Sequence, residues 1–389
     1  MVKSRIIYLD HAATTYLRPE VVKAMQPFWE EKYGNPSSLY SQGREAKAAI
    51  EIARKKVASI FNCQSEEIIF EGSGTESDNH AIIGAALANR GRGNHIITSM
   101  IEHHAVLHAC EFLETQGFEV TYLPVDKDGI VKLDELKKAI RPETILVSIM
   151  FANNEIGTIQ PIQEISKIVK AADQSIIFHT DACQAAGYFE LNVDELGVDL
   201  MTINGSKIYG PKGTGVLYVR KGISIRPIIH GGGQENNRRA GTENVAGIVG
   251  LAAALELVQK EHKKENQRLI KLRDKLIKQL LEIPKVVLNG HPTKRLPNNV
   301  NVTVMDIEGE AMLLHLDEKG ISCSTGSACT SGSLEPSHVI LALGLPYEMA
   351  HGSIRFSLGH CNTEDDLDYL LEVFPPIIGK LRAMSPIKL

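Results

Sequence analysis

Lys207 stands in a turn-rich stretch, residues 203–216, with the sequence INGSKIYGPKGTGV. The apolar, β-branched run 199–203 before it predicts a buried strand, and residues 215–219 predict the next one. Lys207 is therefore expected on a loop between two strands, where binding and catalytic groups tend to lie. An arbitrary lysine in such a loop is usually a solvated surface residue, so the residues that accompany it decide between the two interpretations.

Polar residues follow several other apolar runs. Gly74-Thr75, in the stretch GSGTESDN, could hold a phosphate on backbone N–H groups at a helix N-terminus, although a helix cap explains the same letters. The stretch is not a Walker loop, because no GK[ST] follows, and its GxGxxG pattern is incomplete. His103, Asn154 and Asp181 follow further runs. Taken alone, the histidine could be an ordinary partly buried residue and the aspartate a helix cap.

Together these residues form a specific set. A lysine, an aspartate and a phosphate cup on neighbouring strand ends are what pyridoxal phosphate (PLP) needs: a Schiff-base amine, a carboxylate for the pyridinium nitrogen and a phosphate anchor. We therefore predict a PLP site built from Lys207, Asp181 and the turn at Gly74. No HExxH or CxxC spacing gathers the 14 histidines and six cysteines, so no metal site is expected.

The elements that would position this set alternate in type. Between residues 68 and 181, strand-like runs alternate with helix-like runs, which predicts an α/β fold with a mostly parallel sheet covered by helices. Ligands of such sheets bind outside the carboxyl ends of the strands. Beyond a long helical stretch, residues 245–281, the elements become shorter. We predict a large domain over residues 15–258 and a smaller α+β domain formed by residues 1–14 and 259–389.

Composition and charge exclude several classes of protein. The 389 residues are 43% hydrophobic and 23% charged, which is typical of a globular protein with an ample core. A net charge of −5 argues against a nucleic-acid surface. The N-terminal segment is charged and no apolar stretch is long enough to span a bilayer, so neither a signal peptide nor a membrane span is expected. The scattered cysteines fit a reducing cytosol, and we expect a cytoplasmic protein.

In their order and spacing, the motifs resemble those of the cysteine desulfurases of the NifS/IscS-like group, within the class V aminotransferase family. The resemblance covers nearly the whole chain, from YLDHAATT at residues 8–15 to SIRFSLG at residues 353–359. The motifs between them are GSGTESDN, EH at 102–103, NNEIG at 153–157, DACQ at 181–184, SKIYGPKG at 206–213, GGGQE with RRAGTEN at 231–244, and STGSACTSGSLEPS at 324–337. The resemblance implies a PLP-dependent transferase of fold type I and a homodimer.

The resemblance also implies a role for each matching residue. Lys207 would form the Schiff base, Asp181 would pair with the pyridinium nitrogen, and His103 would stack on the cofactor ring. Two side-chain amides would lie near the ring hydroxyl of the cofactor, those of Asn154 and Gln184. The phosphate would be held by Gly74, Thr75 and Ser206, with Thr242 contributed by a second subunit. The substrate carboxylate would bind to Arg355, with Asn154 and Asn35 nearby.

The implied activity is the conversion of L-cysteine to L-alanine, with the sulfur left on Cys329 as a persulfide. Lys207 would take the Cα proton as general base, and the Cys329 thiolate would attack the sulfur. Cys329 lies inside a Ser/Gly-rich run, residues 324–333, that we expect to be mobile, whereas Cys323 is predicted at a strand end. The sulfur would pass to acceptor proteins such as an iron–sulfur scaffold, or towards another thio-cofactor or thiolated tRNA.

One position departs from the family pattern, and alternatives remain. Many relatives have Ser-x-His before the lysine, whereas this chain has Asn204-Gly205-Ser206, so a possible cationic phosphate ligand is missing. A selenocysteine lyase or an aminotransferase could use the same cofactor site, but an aminotransferase has no need of Cys329 in a flexible loop. A non-catalytic sulfur carrier or scaffold partner is a further alternative, against which the intact Lys207 and Asp181 speak.

Overall fold

The computed structural model of the chain describes residues 6–325 and 336–385. The strands, in chain order, are β1 (Ile7–Tyr8), β2 (Ile68–Glu71), β3 (His95–Ser99), β4 (Glu119–Leu123), β5 (Thr144–Ser148), β6 (Ile177–Asp181), β7 (Leu200–Asn204), β8 (Gly215–Val219), β9 (Val286–Leu288), β10 (Asn299–Val304), β11 (Ile321–Ser322) and β12 (Ser353–Ser357). The helices are α1 (Pro19–Met25), α2 (Pro27–Glu30), α3 (Ser41–Phe61), α4 (Gly74–Asn79), α5 (Ala85–Asn89), α6 (His104–Thr115), α7 (Leu133–Ala139), α8 (Ile162–Ala172), α9 (Val193–Leu196), α10 (Gln234–Asn237), α11 (Val245–Leu280), α12 (Gly309–Asp317), α13 (His338–Ala342), α14 (Tyr347–Ala350) and α15 (Glu364–Met384). Within these described ranges, no helix is both long and apolar enough to cross a membrane.

A seven-stranded sheet, in the order β2-β8-β7-β6-β5-β3-β4, forms the centre of the larger part of the molecule. The neighbours from β7 to β4 run parallel, and β8 pairs antiparallel with both β2 and β7. Every residue of β2, β3, β5, β6 and β8 is buried, as expected of strands covered by helices on both faces. The prediction of a mostly parallel α/β sheet is confirmed.

The C-terminal part has its own three-stranded antiparallel sheet, in the order β12-β10-β9. The N-terminal β1 pairs in parallel with β11, and Ile7 packs in one hydrophobic cluster with apolar residues from the range 269–381. Val339 and Ile340 of α13 pack instead into the cluster that covers the large sheet. The domain limits at residues 15–258, and at 1–14 with 259–389, stay a prediction.

Helix α11 connects the two parts. Its 36 residues correspond to a length of about 54 Å. Leu251 and Leu255 in its first half pack into the cluster of the large sheet, whereas Leu269 and Leu276 in its second half pack into the cluster of the small sheet. One continuous helix therefore fixes the position of the small sheet relative to the large one.

Residues 19–29 have the apolar spacing of one helix, but the structure has two helices there, α1 and α2. Pro27 explains the break: proline has no N–H group for the helical hydrogen bond, and its ring clashes with the preceding turn. Pro27 instead takes the first position of α2, where no N–H group is needed.

Candidate active site

A cavity of about 180 Å³ lies at the carboxyl ends of β5, β6 and β7. Because β6 lies between β5 and β7, the residues that follow these strands come side by side. The cavity brings together side chains that are spread over almost the whole chain. Among the predicted site residues, its lining includes Gly74, Thr75, His103, Asn154, Asp181, Gln184, Lys207 and Arg355.

Lys207 ends a short 3₁₀ turn, Gly205–Lys207, between the antiparallel strands β7 and β8. Its Nζ donates hydrogen bonds to the main-chain oxygens of Ala12, at 2.9 Å, and Ala13, at 2.6 Å. An ammonium group has only donors, so two carbonyl acceptors hold it at the cavity wall. The motif YLDHAATT was identified only through its resemblance to the family. In the structure it supplies the two carbonyl oxygens that bind the amine of Lys207.

Asp181 is the last residue of β6 and is 7% exposed. Its Oδ1 accepts a hydrogen bond from the main-chain N–H of Cys183 at 2.8 Å. Asp78, which also lines the cavity, is 1% exposed, and burial, followed by the nearby charge of Asp181, raises the pKa of its carboxyl group well above the usual value. Asp78 is therefore favoured in its neutral form. Nothing in the sequence pattern singled it out.

His179, within β6, lies near the carboxyl group of Asp78. Its Nε2 lies 3.7 Å from Oδ1 of Asp78 and 3.1 Å from Oγ1 of Thr202, and its Nδ1 lies 2.9 Å from Oγ of Ser148. Complete burial lowers the pKa of His179 to about 3. Its spacing of two residues before Asp181 is a sequence signal that could have found it, because alternate residues of a strand face the same side.

His103 is the N-cap of α6, and its Nδ1 accepts a hydrogen bond from the N–H of Ala105 at 3.1 Å. The proton of the neutral ring is therefore placed on Nε2. Burial lowers the pKa of His103; the charge of Asp181 opposes this effect and that of Lys207 adds to it. The preceding residue, Glu102, is fully buried, and burial raises the pKa of its carboxyl group to about 8.

The predicted phosphate cup begins at Gly74, the first residue of α4. A Cβ atom there would lie 2.8 Å from Sγ of Cys183 and 3.1 Å from Cβ of Asn204, so only glycine fits. Asn204 lines the cavity, and its Oδ1 accepts hydrogen bonds from both N and Oγ of Ser206 at 3.1 Å. Within the described residues, Ser206 itself does not belong to the cavity lining. The departure from the family pattern therefore places an asparagine, not the serine, on this wall.

Arg355, from β12, is 1% exposed. Its Nη1 donates to the main-chain oxygen of Asn154, and its Nη2 donates to Oδ1 of Asp10, each at 2.8 Å. Its main chain exchanges hydrogen bonds with that of Ser324, where the Ser/Gly-rich run begins. Cys329 and the rest of the run expected to be mobile, residues 326–333, lie outside the described residues.

Two predicted site residues lie away from this cavity. Asn35 is exposed, and its Oδ1 accepts a hydrogen bond from the N–H of Ser37 at 2.9 Å. Thr242 is exposed in the glycine-rich segment that precedes α11. Neither belongs to the cavity lining in the part of the chain that the structure describes. Thr242 was expected to contact the cofactor bound to a second subunit. A single chain does not test this expectation.

The chain is similar to known proteins over nearly its whole length. The family model "Aminotransferase class-V" matches residues 7–370. A curated relative from Methanosarcina thermophila, named cysteine desulfurase IscS, is 59% identical over 385 residues, which are 99% of this chain and 95% of the relative. A solved structure described as a NifS-like protein has a TM-score of 0.92 at 40% identity and covers 97% of this chain and 100% of its own. A second, "SspA in complex with cysteine", has a TM-score of 0.79 at 35% identity and covers 90% of this chain and 98% of its own.

Proposed function

This chain belongs to the class V aminotransferase family and is a cysteine desulfurase, and we propose that it converts L-cysteine to L-alanine in the cavity described above, with PLP as its cofactor. The convergence of Lys207, Asp181 and Arg355 on one cavity supports this proposal. The name shared by the relatives favours a desulfurase over an aminotransferase, a selenocysteine lyase or a non-catalytic scaffold partner.

The donor set of the cavity fits PLP. Lys207 offers an amine for covalent attachment, Asp181 offers a carboxylate for the ring nitrogen, and the side-chain-free Gly74 lets a phosphate approach the backbone. The remaining proposed cofactor contacts are Thr75, His103, Asn154, Gln184 and Ser206, with Thr242 from a second subunit. When bound, PLP supplies an electron sink for the electron pair left at the substrate Cα when its proton departs.

The protein's own residues position the substrate and move its protons. Arg355 binds the carboxylate of cysteine through paired N–H groups, and Asn154 and Asn35 are proposed to lie nearby. Lys207, held at the cavity wall by the carbonyl oxygens of Ala12 and Ala13, is placed to take the Cα proton as general base.

The sulfur is proposed to leave on Cys329. The thiolate attacks the substrate sulfur, an S–S bond forms, and the Cβ–S bond breaks. The electron pair of the broken bond stays on Cβ, which takes a proton, so that alanine leaves and a persulfide remains. Cys323 directly precedes the Ser/Gly-rich run and is 8% exposed. Burial raises the pKa of its thiol to about 12, and the charge of Asp10 adds to this effect. A thiol that stays protonated is a poor nucleophile.

The persulfide has to be consumed by another protein. We propose that its outer sulfur passes to a thiol of an acceptor such as an iron–sulfur scaffold, and that this transfer takes place in the cytoplasm. The main-chain bridge between Ser324 and Arg355 ties the start of the Ser/Gly-rich run to the substrate site.

The function is tested by alanine formation from L-cysteine. The wild-type protein is expected to form alanine and to bind PLP, whereas Arg355→Ala should raise KM for cysteine about tenfold to a hundredfold, because a charge-assisted contact contributes about 1.5–3 kcal/mol. The PLP content should stay normal, which absorbance measures. Arg90→Ala, at an exposed arginine after α5, is the control. An unchanged KM in Arg355→Ala would place the carboxylate elsewhere, and absence of alanine from the wild-type reaction would refute the function.

A homodimer is expected to complete the site. Large apolar side chains between α2 and α3 are exposed, among them Tyr33 at 74% and Leu39 at 89%, which is unusual for a surface without a partner. Light scattering should therefore give about twice the 42.7 kDa of one chain. Leu39→Asp should shift the mass towards the monomer and lower activity, whereas Leu314→Asp, at an exposed leucine of α12, should not. A stable wild-type monomer with full activity would contradict the dimer.

A further inference from the structure

The guanidinium of Arg355 is almost fully buried but only partly paired. Nη1 donates to Asn154 and Nη2 to Asp10, each over 2.8 Å. Nε has no hydrogen-bond partner anywhere in residues 6–325 or 336–385. A buried N–H group without an acceptor is costly, so the Nε edge is suited to receive an oxygen atom of a ligand.

Asp10 lies beside this guanidinium on a segment that pairs with β12. Its side chain is 15% exposed. The residues on either side are bonded to β12, because Ser357 donates its N–H to the oxygen of Leu9 at 2.7 Å and accepts from the N–H of His11 at 3.2 Å. The backbone of Asp10 is therefore fixed next to β12, and its carboxylate is bonded to Nη2 of Arg355.

We propose that Asp10 is a positioning residue for the substrate: it orients the Arg355 guanidinium through Nη2 and, by its own negative charge, limits how tightly Arg355 holds a carboxylate. The inference rests on the proposed function, in which Arg355 binds the carboxylate of cysteine. The Nε edge, with an adjacent Nη N–H group, presents the fork that matches a carboxylate. Like charges close to each other repel, so Asp10 weakens this contact while it fixes its geometry.

The consequence for the reaction concerns the product. Alanine carries the same carboxylate as cysteine and would remain bound to a buried arginine whose charge was unopposed. Asp10 therefore balances substrate capture against alanine release. A role confined to packing would not discriminate between charged and neutral ligands.

Two substitutions at Asp10 separate charge from orientation. Asp10→Asn keeps an oxygen acceptor for Nη2 but removes the charge, so KM for cysteine and the inhibition constant of alanine should both fall about three- to tenfold. Asp10→Ala removes both the charge and the acceptor, so both constants should rise. Cofactor absorbance and the melting temperature show whether each variant is folded.

A measurement on the wild-type protein keeps the inference testable if a variant does not fold. L-alanine and L-alaninamide differ in the charge of one group, and because Asp10 already cancels part of the Arg355 charge, their inhibition constants should lie within about tenfold of each other. In Asp10→Asn the preference for alanine should widen. A wild-type preference above about a hundredfold would overturn the role of Asp10.

The outcomes distinguish this inference from the function on which it rests. If Arg355→Ala raises KM but Asp10→Asn leaves both constants unchanged, or raises them as Asp10→Ala does, the charge effect of Asp10 is refuted and the desulfurase site stands. If Arg355→Ala leaves KM unchanged, the carboxylate binds elsewhere and the role of Asp10 fails with it. If Arg355→Ala also abolishes the effect of Asp10→Asn in the double variant, the two residues act as one unit, as proposed.

Discussion

Lys207→Ala is expected to abolish alanine formation, with a loss of at least about a thousandfold. A positioned general base alone contributes about 10²–10⁴-fold, and this lysine is also the proposed attachment point of the cofactor. No other lysine belongs to the cavity lining in the described residues. The measurements are the initial rate of alanine formation and treatment with borohydride, which should fix the cofactor to the wild-type chain but not to the variant.

The matched control for this prediction is Lys212→Ala. Lys212 lies five residues further along in the same turn-rich stretch, but it is exposed and does not line the cavity. Its substitution should leave the rate and the borohydride reaction close to wild type. Normal desulfurase activity in Lys207→Ala would overturn the assignment of the catalytic lysine, even if the variant bound PLP.

Cys329→Ser should keep the bound cofactor and lose sulfur transfer, with alanine formation close to the detection limit. A serine hydroxyl is not ionised at neutral pH and cannot replace the attacking thiolate. Cys323→Ser is the control and should stay largely active, because Cys323 is buried and burial, with a smaller contribution from Asp10, raises the pKa of its thiol to about 12.

Peptide mass spectrometry after a short exposure to cysteine decides between the two cysteines. The expected result is a mass increase of one sulfur atom on the peptide that contains Cys329. A persulfide on Cys323 with Cys329 unmodified would reverse the assignment. The two residues are only six positions apart, so they can fall in the same peptide. The modified cysteine is then identified either with a protease that cuts between them or by fragmentation of the joint peptide.

The sequence was sufficient for the order of the elements and for the polar residues at strand ends. The strand β8 was predicted to the residue, and the long helix α11 to within one residue of its end. These patterns are readable because strand and helix periodicities depend on residues a few positions apart. The rule that ligands collect at the carboxyl ends of parallel strands then placed Asp181 and Lys207 together, and both line one cavity.

The break at Pro27 shows a local signal that was available but not used. The helical spacing of residues 19–29 continues across the proline, but the helical hydrogen bonding of the backbone does not, because proline has no N–H group.

Burial of the Asp78 carboxyl group, in contrast, had no local signal in the sequence. Its stretch GSGTESDN was interpreted as a turn at a helix N-terminus, whereas the structure places Asp78 inside α4, whose packing against β7 and β8 buries the side chain.

Only the tertiary structure decided which distant residues share the site. The amine of Lys207 meets the carbonyl oxygens of Ala12 and Ala13 across 195 and 194 positions, and Arg355 meets Asp10 across 345. No periodic pattern encodes such contacts, because they arise when the N-terminal segment pairs with β11 and with β12, which are more than 300 residues away in the chain. Sequence patterns therefore identified the chemical groups, whereas packing between remote segments determined which of them can act together.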